Sequence, residues 1–237
     1  MSIGKEFMDL QPKLGYSFRD IEYLENALTH SSYSNEQKYK GISVHSNERL
    51  EFLGDAILQT VISKYLFEHY KNHSEGTLTR MRQYLVCEKT LSKIAAEYEI
   101  GGYLNVGKGE ETNGCRTRPK VLADALEAIF AAVYLDSFSH DPTIHENVIL
   151  SAFKEELAGL SDSFEDDYKT MLQQLVEKDG TSSLLYEIVA EDGPDHNKHF
   201  EVVARINNNV VGRGEAKSKK EAEMQAAKVA LELFGLV

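Results

Sequence analysis

The chain is short of cysteine, proline and positive charge, and each shortage excludes something. Cys87 and Cys115 stand alone and far apart in sequence, which leaves neither a disulfide framework nor a C-x-x-C zinc knuckle. A reducing, cytoplasmic setting is therefore expected. No apolar run reaches the ~18–20 residues that a membrane span needs. The opening M-S-I-G-K-E-F-M-D-L lacks the apolar stretch of a signal peptide. The eight histidines do not cluster as metal ligands; His69 and His73 lie one helical turn apart and read as a solvated helix end. Net charge is −12, and no segment is basic: residues 1–157 carry −6, residues 158–165 carry −2 and residues 166–237 carry −4. Any binding of a polyanion must then come from local cationic patches or from metal ions held by the acids.

What the chain does have is organisation in two parts. Periodic apolar positions over Ile21–Leu28, Leu50–Tyr70, Leu78–Tyr98, Val121–Leu135 and Val148–Leu157 predict helices. Only four prolines interrupt the chain, and Pro119 and Pro142 fall at or just before helix starts, where a missing N–H costs little. Gly101-Gly102 reads as a helix stop and Gly107–Thr117 as a polar loop. Ala158–Asp167, A-G-L-S-D-S-F-E-D-D, is small, polar and acidic. Beyond it the pattern changes to helix (Tyr168–Lys178), strands (Leu185–Glu191, His199–Ile206, Val210–Ala216) and a final helix. That helix, Lys217–Phe234, turns Ala222, Ala226, Val229, Ala230 and Leu233 toward the sheet. Asn207–Asn209 can supply the hairpin turn, since Asn tolerates positive φ. The expected fold class is an all-α domain followed by a small α+β domain of order α-β-β-β-α. The expected boundaries are 1–157, a flexible linker at 158–165, and 166–237.

Two acidic constellations carry the chemistry. In N-E-R-L-E-F-L-G-D-A (Asn47–Ala56), Glu48, Glu51 and Asp55 share one face of a helix whose Leu50, Phe52, Leu53, Ile57 and Val61 are apolar. In Val121–Leu135, Asp124 and Glu127 are the only ionised residues and lie at i, i+3. One reading gives each acid a buried salt bridge, with Arg116 or Arg118 as partner. The other brings Glu51, Asp55, Asp124 and Glu127 together, since buried carboxylates are paired or metal-bound. An all-oxygen donor set suits Mg²⁺, with Mn²⁺ substituting. Two such ions ~3.5–4 Å apart can activate a water and stabilise a leaving oxygen in phosphodiester hydrolysis. Gly54, inside this helix, marks a close approach of a ligand or of another backbone.

The same residues resemble the signatures of the ribonuclease III family. Asn47–Ala56 is similar to the family's first signature and Arg118–Ala128 (R-P-K-V-L-A-D-A-L-E-A) to its second. Leu14–Glu36, Glu75–Arg82 and Leu104–Glu110 match supporting pieces in the expected order, and the C-terminal region resembles a double-stranded-RNA-binding domain. Cys115 departs from the family, which often has Gly there; it lies outside the acidic positions.

The resemblance implies a helical endonuclease domain that homodimerises and uses Mg²⁺ to cleave double-stranded RNA. It leaves 5′-phosphate and 3′-hydroxyl ends with short 3′ overhangs, and processes ribosomal-RNA precursors and other structured transcripts. It places Glu51, Asp55, Asp124 and Glu127 on the metal positions, with Asp55 and Glu127 as active-site residues. Glu48 and Glu75 fall where acids help engage substrate, and Phe52 on an aromatic packed across the dimer interface, pointing away from the acidic face. In the C-terminal domain Thr170, Gln173 and His196 fall on minor-groove contacts. Lys217, Lys219 and Lys220 flank a helix start with S-x-x-E capping spacing (Ser218, Glu221), where free N–H groups also favour phosphate. No membrane and no small-molecule cofactor are expected. The alternatives are a non-catalytic RNA-binding regulator with a relict nuclease domain, which the presence of all four acids disfavours, and a helical hydrolase of small phosphoesters, which has no use for the C-terminal domain.

Overall fold

A computed structural model describes residues 7, 9–71, 73–160, 168–180, 182–193 and 198–236. Residues 161–167 and His196 lie outside the described residues. The chain divides into two compact units, Met1–Lys71 with Leu78–Phe164 and Asn72–Thr77 with Glu165–Val237.

The first unit is helical: α1 (Leu10–Leu14), α2 (Ile21–Ala27), α3 (Ser31–Tyr39), α4 (Glu48–His69), α5 (Glu75–Leu85), α6 (Glu88–Glu97), α7 (Ile100–Tyr103), α8 (Lys108–Thr112), a 3₁₀ turn (Cys115–Thr117), α9 (Pro119–Ser137), α10 (Ile144–Ala152) and α11 (Lys154–Ala158). Helix α9 is the axis of this core. Its Ala125, Leu126, Ala128, Ile129, Phe130, Ala131, Ala132 and Val133 are all fully buried. A helix apolar on nearly all sides needs neighbours on all sides, and α2, α4, α6 and α10 supply them. Against α9 lies α4, through Leu50, Leu58, Val61, Ile62 and Leu66.

Asp136, near the end of α9, is only 6% exposed. It accepts hydrogen bonds from the Tyr16 hydroxyl at 2.6 Å and the backbone N–H groups of Arg19 and Asp20 at 2.8 and 3.0 Å. Burial pushes this carboxyl up, but those donors outweigh it and hold it below the ordinary range. Asp136 therefore pins the chain entering α2 rather than serving the chemistry.

Several expected boundaries move. Leu78–Tyr98 is two helices, because Cys87 is extended (φ −75°, ψ 154°). Val148–Leu157 likewise spans two, with Phe153 between them. Gly101 and Gly102 sit inside α7; the reversal before it is made by Glu99, at φ 56°. The Gly107–Thr117 loop contains α8 and most of the 3₁₀ turn.

In the second unit α12 (Tyr168–Asp179) precedes β1 (Leu184–Asp192), β2 (His199–Ile206), β3 (Asn209–Ala216) and α13 (Lys219–Leu233). The sheet is antiparallel in the order β1-β2-β3. Asn207 turns the β2–β3 hairpin at φ 54°. Phe200, Val202 and Ala204 face a core shared with Leu172 and the alanines of α13. On the other face Val203 is buried beside the cross-strand pairs Arg205–Glu187 and Arg213–Glu201, whose arginine stems can cover apolar surface. Helix α13 lies directly on β3. A Cβ on Gly212 would stand 2.0 Å from the Ala226 carbonyl oxygen, and one on Gly214 2.2 Å from that of Ala222. The buried stripe of α13 is Ala222, Ala226, Ala227, Ala230 and Leu231. Val229 and Leu233, expected toward the sheet, are 42% and 68% exposed.

Candidate active site

The site is built where α4 crosses α9, and Gly54 sets the crossing. A Cβ there would lie 1.9 Å from the carbonyl oxygen of Glu127 and 2.5 Å from its carbonyl carbon. The close approach foreseen at this glycine is thus to the backbone of the facing helix. It brings Glu51, one turn before Gly54, against Asp124 and Glu127. One carboxylate oxygen from each of these three residues lies within 4.8 Å of the other two. They line an open pocket of about 400 Å³ with Phe52, Asp55, Val86, Glu88, Leu91, Lys120 and Ala123.

Asp55 lines the pocket but stands outside the three-carboxylate group. Its two oxygens accept from Gln59 Nε2 at 2.8 and 3.0 Å, one turn along α4. Salt bridges from Arg116 or Arg118 to the buried acids do not form. Arg116 pairs with Glu111 and donates to the carbonyls of Gly101 and Leu104, and Arg118 pairs with Glu110. Asp124 has a different cation: Lys120 Nζ donates to both of its oxygens at 3.0 Å.

The electrostatics are those of like charges crowded in a half-buried place. Burial first, then the charges of Asp55, Asp124 and Glu51, push the Glu127 carboxyl up to about 8, with Lys120 opposing. Burial and then Asp124 also raise Glu51. Carboxyls this reluctant to ionise together call for positive charge. Three converging oxygen donors, with no nitrogen or sulfur ligand in the group, suit a hard divalent cation.

The remaining residues singled out from sequence fall elsewhere. Glu48 is exposed and accepts from Ser46 Oγ at 2.8 Å. Glu75 is exposed in the first turn of α5. Phe52, expected to point away from the acids, lines their pocket and is 81% exposed, so it is not a core side chain. In the second unit Thr170 and Gln173 are exposed on α12, and Gln173 reaches Glu177 at 2.8 Å. Lys217, Lys219 and Lys220 are exposed at the start of α13. The hydroxyl of Ser218 there accepts from the Glu221 N–H at 3.2 Å, as the capping spacing predicts. Lys120 and Glu88 were not singled out from sequence. Lys120 could have been, because it lies one helical turn before Asp124.

A helical domain with a carboxylate cluster fit for a divalent cation, in one chain with an α-β-β-β-α domain bearing lysines at a helix N-terminus, defines a class: a metal-dependent nuclease that carries its own RNA-binding module. Comparison with known proteins narrows the class. Residues 20–152 match the ribonuclease-III-like family and residues 168–233 the double-stranded RNA binding motif. The chain is 47% identical over 233 residues to Ribonuclease 3 of Natranaerobius thermophilus, covering 97% of this chain and 98% of that one. It is 45% identical over 229 residues to Ribonuclease 3 of Caldanaerobacter subterraneus, covering 96% and 98%. The crystal structure of the nuclease domain of ribonuclease III from Campylobacter jejuni superposes with a TM-score of 0.57 at 36% identity, covering 64% of this chain and 96% of that one. The chain belongs to the ribonuclease III family, whose members are metal-dependent endoribonucleases that cut double-stranded RNA. No helix among the described residues is long and apolar enough to cross a membrane.

Proposed function

We propose that the protein is a cytoplasmic, homodimeric, Mg²⁺-dependent endoribonuclease. It cuts ribosomal-RNA precursors and other structured transcripts to 5′-phosphate and 3′-hydroxyl ends with short 3′ overhangs. The observation that carries this reading is the convergence of Glu51, Asp124 and Glu127 in a chain that also holds a double-stranded-RNA-binding motif. In it residues 1–157 form the catalytic and dimerisation domain, 158–165 the linker and 166–237 the RNA-binding domain.

Glu51, Asp124 and Glu127 hold the cation, and Asp55 joins them by releasing Gln59. Bound there, Mg²⁺ or Mn²⁺ supplies Lewis acidity at the scissile phosphate and lowers the pKa of a coordinated water. Glu127 gives up its proton to reach the charge this requires, and Glu48 and Glu75 help position the substrate. Phe52, exposed at the pocket rim, packs against a second protomer. For the Campylobacter jejuni nuclease domain, a second crystal structure is described by the structural flexibility of a region involved in dimer formation.

The test is incubation of end-labelled duplex RNA, and of each strand alone, with Mg²⁺ and with EDTA. Cutting of the duplex alone, in Mg²⁺ alone, is expected. Binding of the duplex without cutting in Mg²⁺ would favour a relict nuclease instead.

RNA binding gives a separate expectation. A-form RNA offers a shallow minor groove and phosphates but no readable major groove. Thr170, Gln173 and His196 reach minor grooves, and Lys217, Lys219 and Lys220 clamp the phosphates between. Changing all three lysines to Ala should weaken duplex binding and flatten the log Kd against log salt plot by about 2 units. Fluorescence anisotropy at four salt concentrations measures this, and an unchanged slope would remove the lysines from the interface.

A further inference from the structure

Lys120 has no role in the account so far, yet it is the sole basic residue lining a pocket that holds the carboxylates of Glu51, Asp55, Glu88, Asp124 and Glu127. Its ammonium engages both oxygens of Asp124 at 3.0 Å. Among the described residues no other cation pairs with Glu51, Asp124 or Glu127. Its place in the chain is unfavourable on local grounds. Lys120 stands in the first turn of α9, directly after Pro119. The helix macrodipole presents positive charge there and disfavours a cation. The neighbouring carboxylates are what favour it.

Its position also obstructs a metal. A hard cation of this size binds carboxylate oxygens at roughly 2.0–2.1 Å. An ammonium already on both oxygens of Asp124 would then stand within a few ångströms of a double positive charge. The Lys120 side chain is 71% exposed, on a long flexible stem, so it can swing into solvent.

We infer that Lys120 is the internal counter-cation of the carboxylate cluster and competes with the divalent ion for Asp124, so that it sets the metal concentration at which the site fills. This rests on the reading of Glu51, Asp124 and Glu127 as metal ligands. Without metal, Lys120 relieves part of the repulsion among the acids: its charge acts to lower both Glu51 and Glu127, against burial and their acidic neighbours. When the ion arrives it takes over that work, and the lysine leaves. An ordinary exposed i, i+4 pair would contribute little and affect nothing beyond itself. Here the pair occupies a ligand.

The experiment is Mn²⁺ binding to the full chain without RNA, followed by the loss of free-Mn²⁺ paramagnetic resonance signal at pH 7. It compares the wild type with Lys120→Gln, Lys120→Arg and Lys64→Gln. Lys64 pairs with Glu146 on the far part of α4 and controls for the loss of one charge. Lys120→Gln should bind Mn²⁺ about fivefold more tightly than wild type. Lys120→Arg should stay near wild type and Lys64→Gln should not change. Equal or weaker binding by Lys120→Gln, beside a wild type that binds, overturns the role of Lys120 alone. No binding by any of the four proteins overturns both this role and the metal reading beneath it.

Discussion

Gly54→Ala is expected to disable the protein although it adds a single methyl group. In an ordinary helix interior the change should stabilise by about 1 kcal/mol, because Ala is the better helix former. Here the new Cβ would meet the Glu127 carbonyl oxygen at 1.9 Å. The obstacle is backbone, so no rotamer change relieves it, and α4 and α9 must move apart. Forced overpacking of this kind costs about 1–3 kcal/mol and occasionally more, which exceeds the propensity gain. A shift of about 1 Å between reacting groups is enough to cost roughly a hundredfold in rate. The chain has no tryptophan, so thermal unfolding is best followed by circular dichroism at the helical band, with duplex cleavage assayed on the same samples. A lower melting temperature and cleavage reduced at least a hundredfold (about 3 kcal/mol or less at the transition state) are expected. A Gly54→Ala protein that melts higher and cuts normally would mean that the two helices do not meet here.

Glu127→Gln should have two effects of opposite benefit. Removing a carboxylate from the cation site takes away several kcal/mol of transition-state stabilisation, about a thousandfold or more in rate. Duplex binding should survive, because the RNA-binding motif covers other residues, 168–233. The metal-free variant should also be more stable than wild type at alkaline pH. In the folded wild type the Glu127 carboxyl is raised to about 8 from 4.5, by burial first and then by Asp55, Asp124 and Glu51. Between those two values the native state keeps a proton that the unfolded chain has released. The stability of the metal-free wild type therefore falls as pH rises through this window. The amide carries no such penalty. With allowance for solvent screening of a partly exposed group, its advantage should be about 1–2 kcal/mol near pH 8.5 and close to nothing near pH 4.5. By the same linkage the wild type should bind Mn²⁺ more tightly as pH rises toward 8, because Glu127 must lose its proton to the solvent. Melting curves across that range, with EDTA and without, measure all of this. A Glu127→Gln protein less stable than wild type at pH 8.5 would show that the carboxylate is not under strain.

The parts of this site that follow one-dimensional rules could be read directly from sequence. Glu51, Asp124 and Glu127 were visible because helical spacing puts acids on one face and because an ionised pair inside an apolar run needs a partner. The capping of α13 by Ser218 was visible for the same local reason. What depended on the meeting of two helices was not. Gly54 signalled a close approach, but nothing in the chain named the Glu127 backbone as what approaches. Asp55 shares a face with Glu51, yet Gln59 lies one turn further on and holds it aside. Phe52 carries an apolar side chain on a buried helix and still ends up exposed, because α9 covers the opposite side of α4 through Leu50, Leu58 and Val61. The break at Cys87 was hidden because the apolar period runs on through it. Val229 and Leu233 were misplaced because the small residues of α13, Ala226, Ala227 and Ala230, are what let it lie close on the glycines of β3, and that shifts the buried stripe. Lys120 was missed because attention to acids treated the lysine beside them as surface.

One panel tests the central claim most directly: cleavage of a single end-labelled RNA duplex in Mg²⁺ by the wild type, Glu51→Gln, Asp124→Asn and Glu127→Gln, with the duplex affinity of each preparation measured in EDTA. If the three carboxylates together hold the ion that cuts, each amide should lose at least about a hundredfold in cleavage while binding RNA as tightly as wild type. Any one of the three cutting at the wild-type rate would contradict the account.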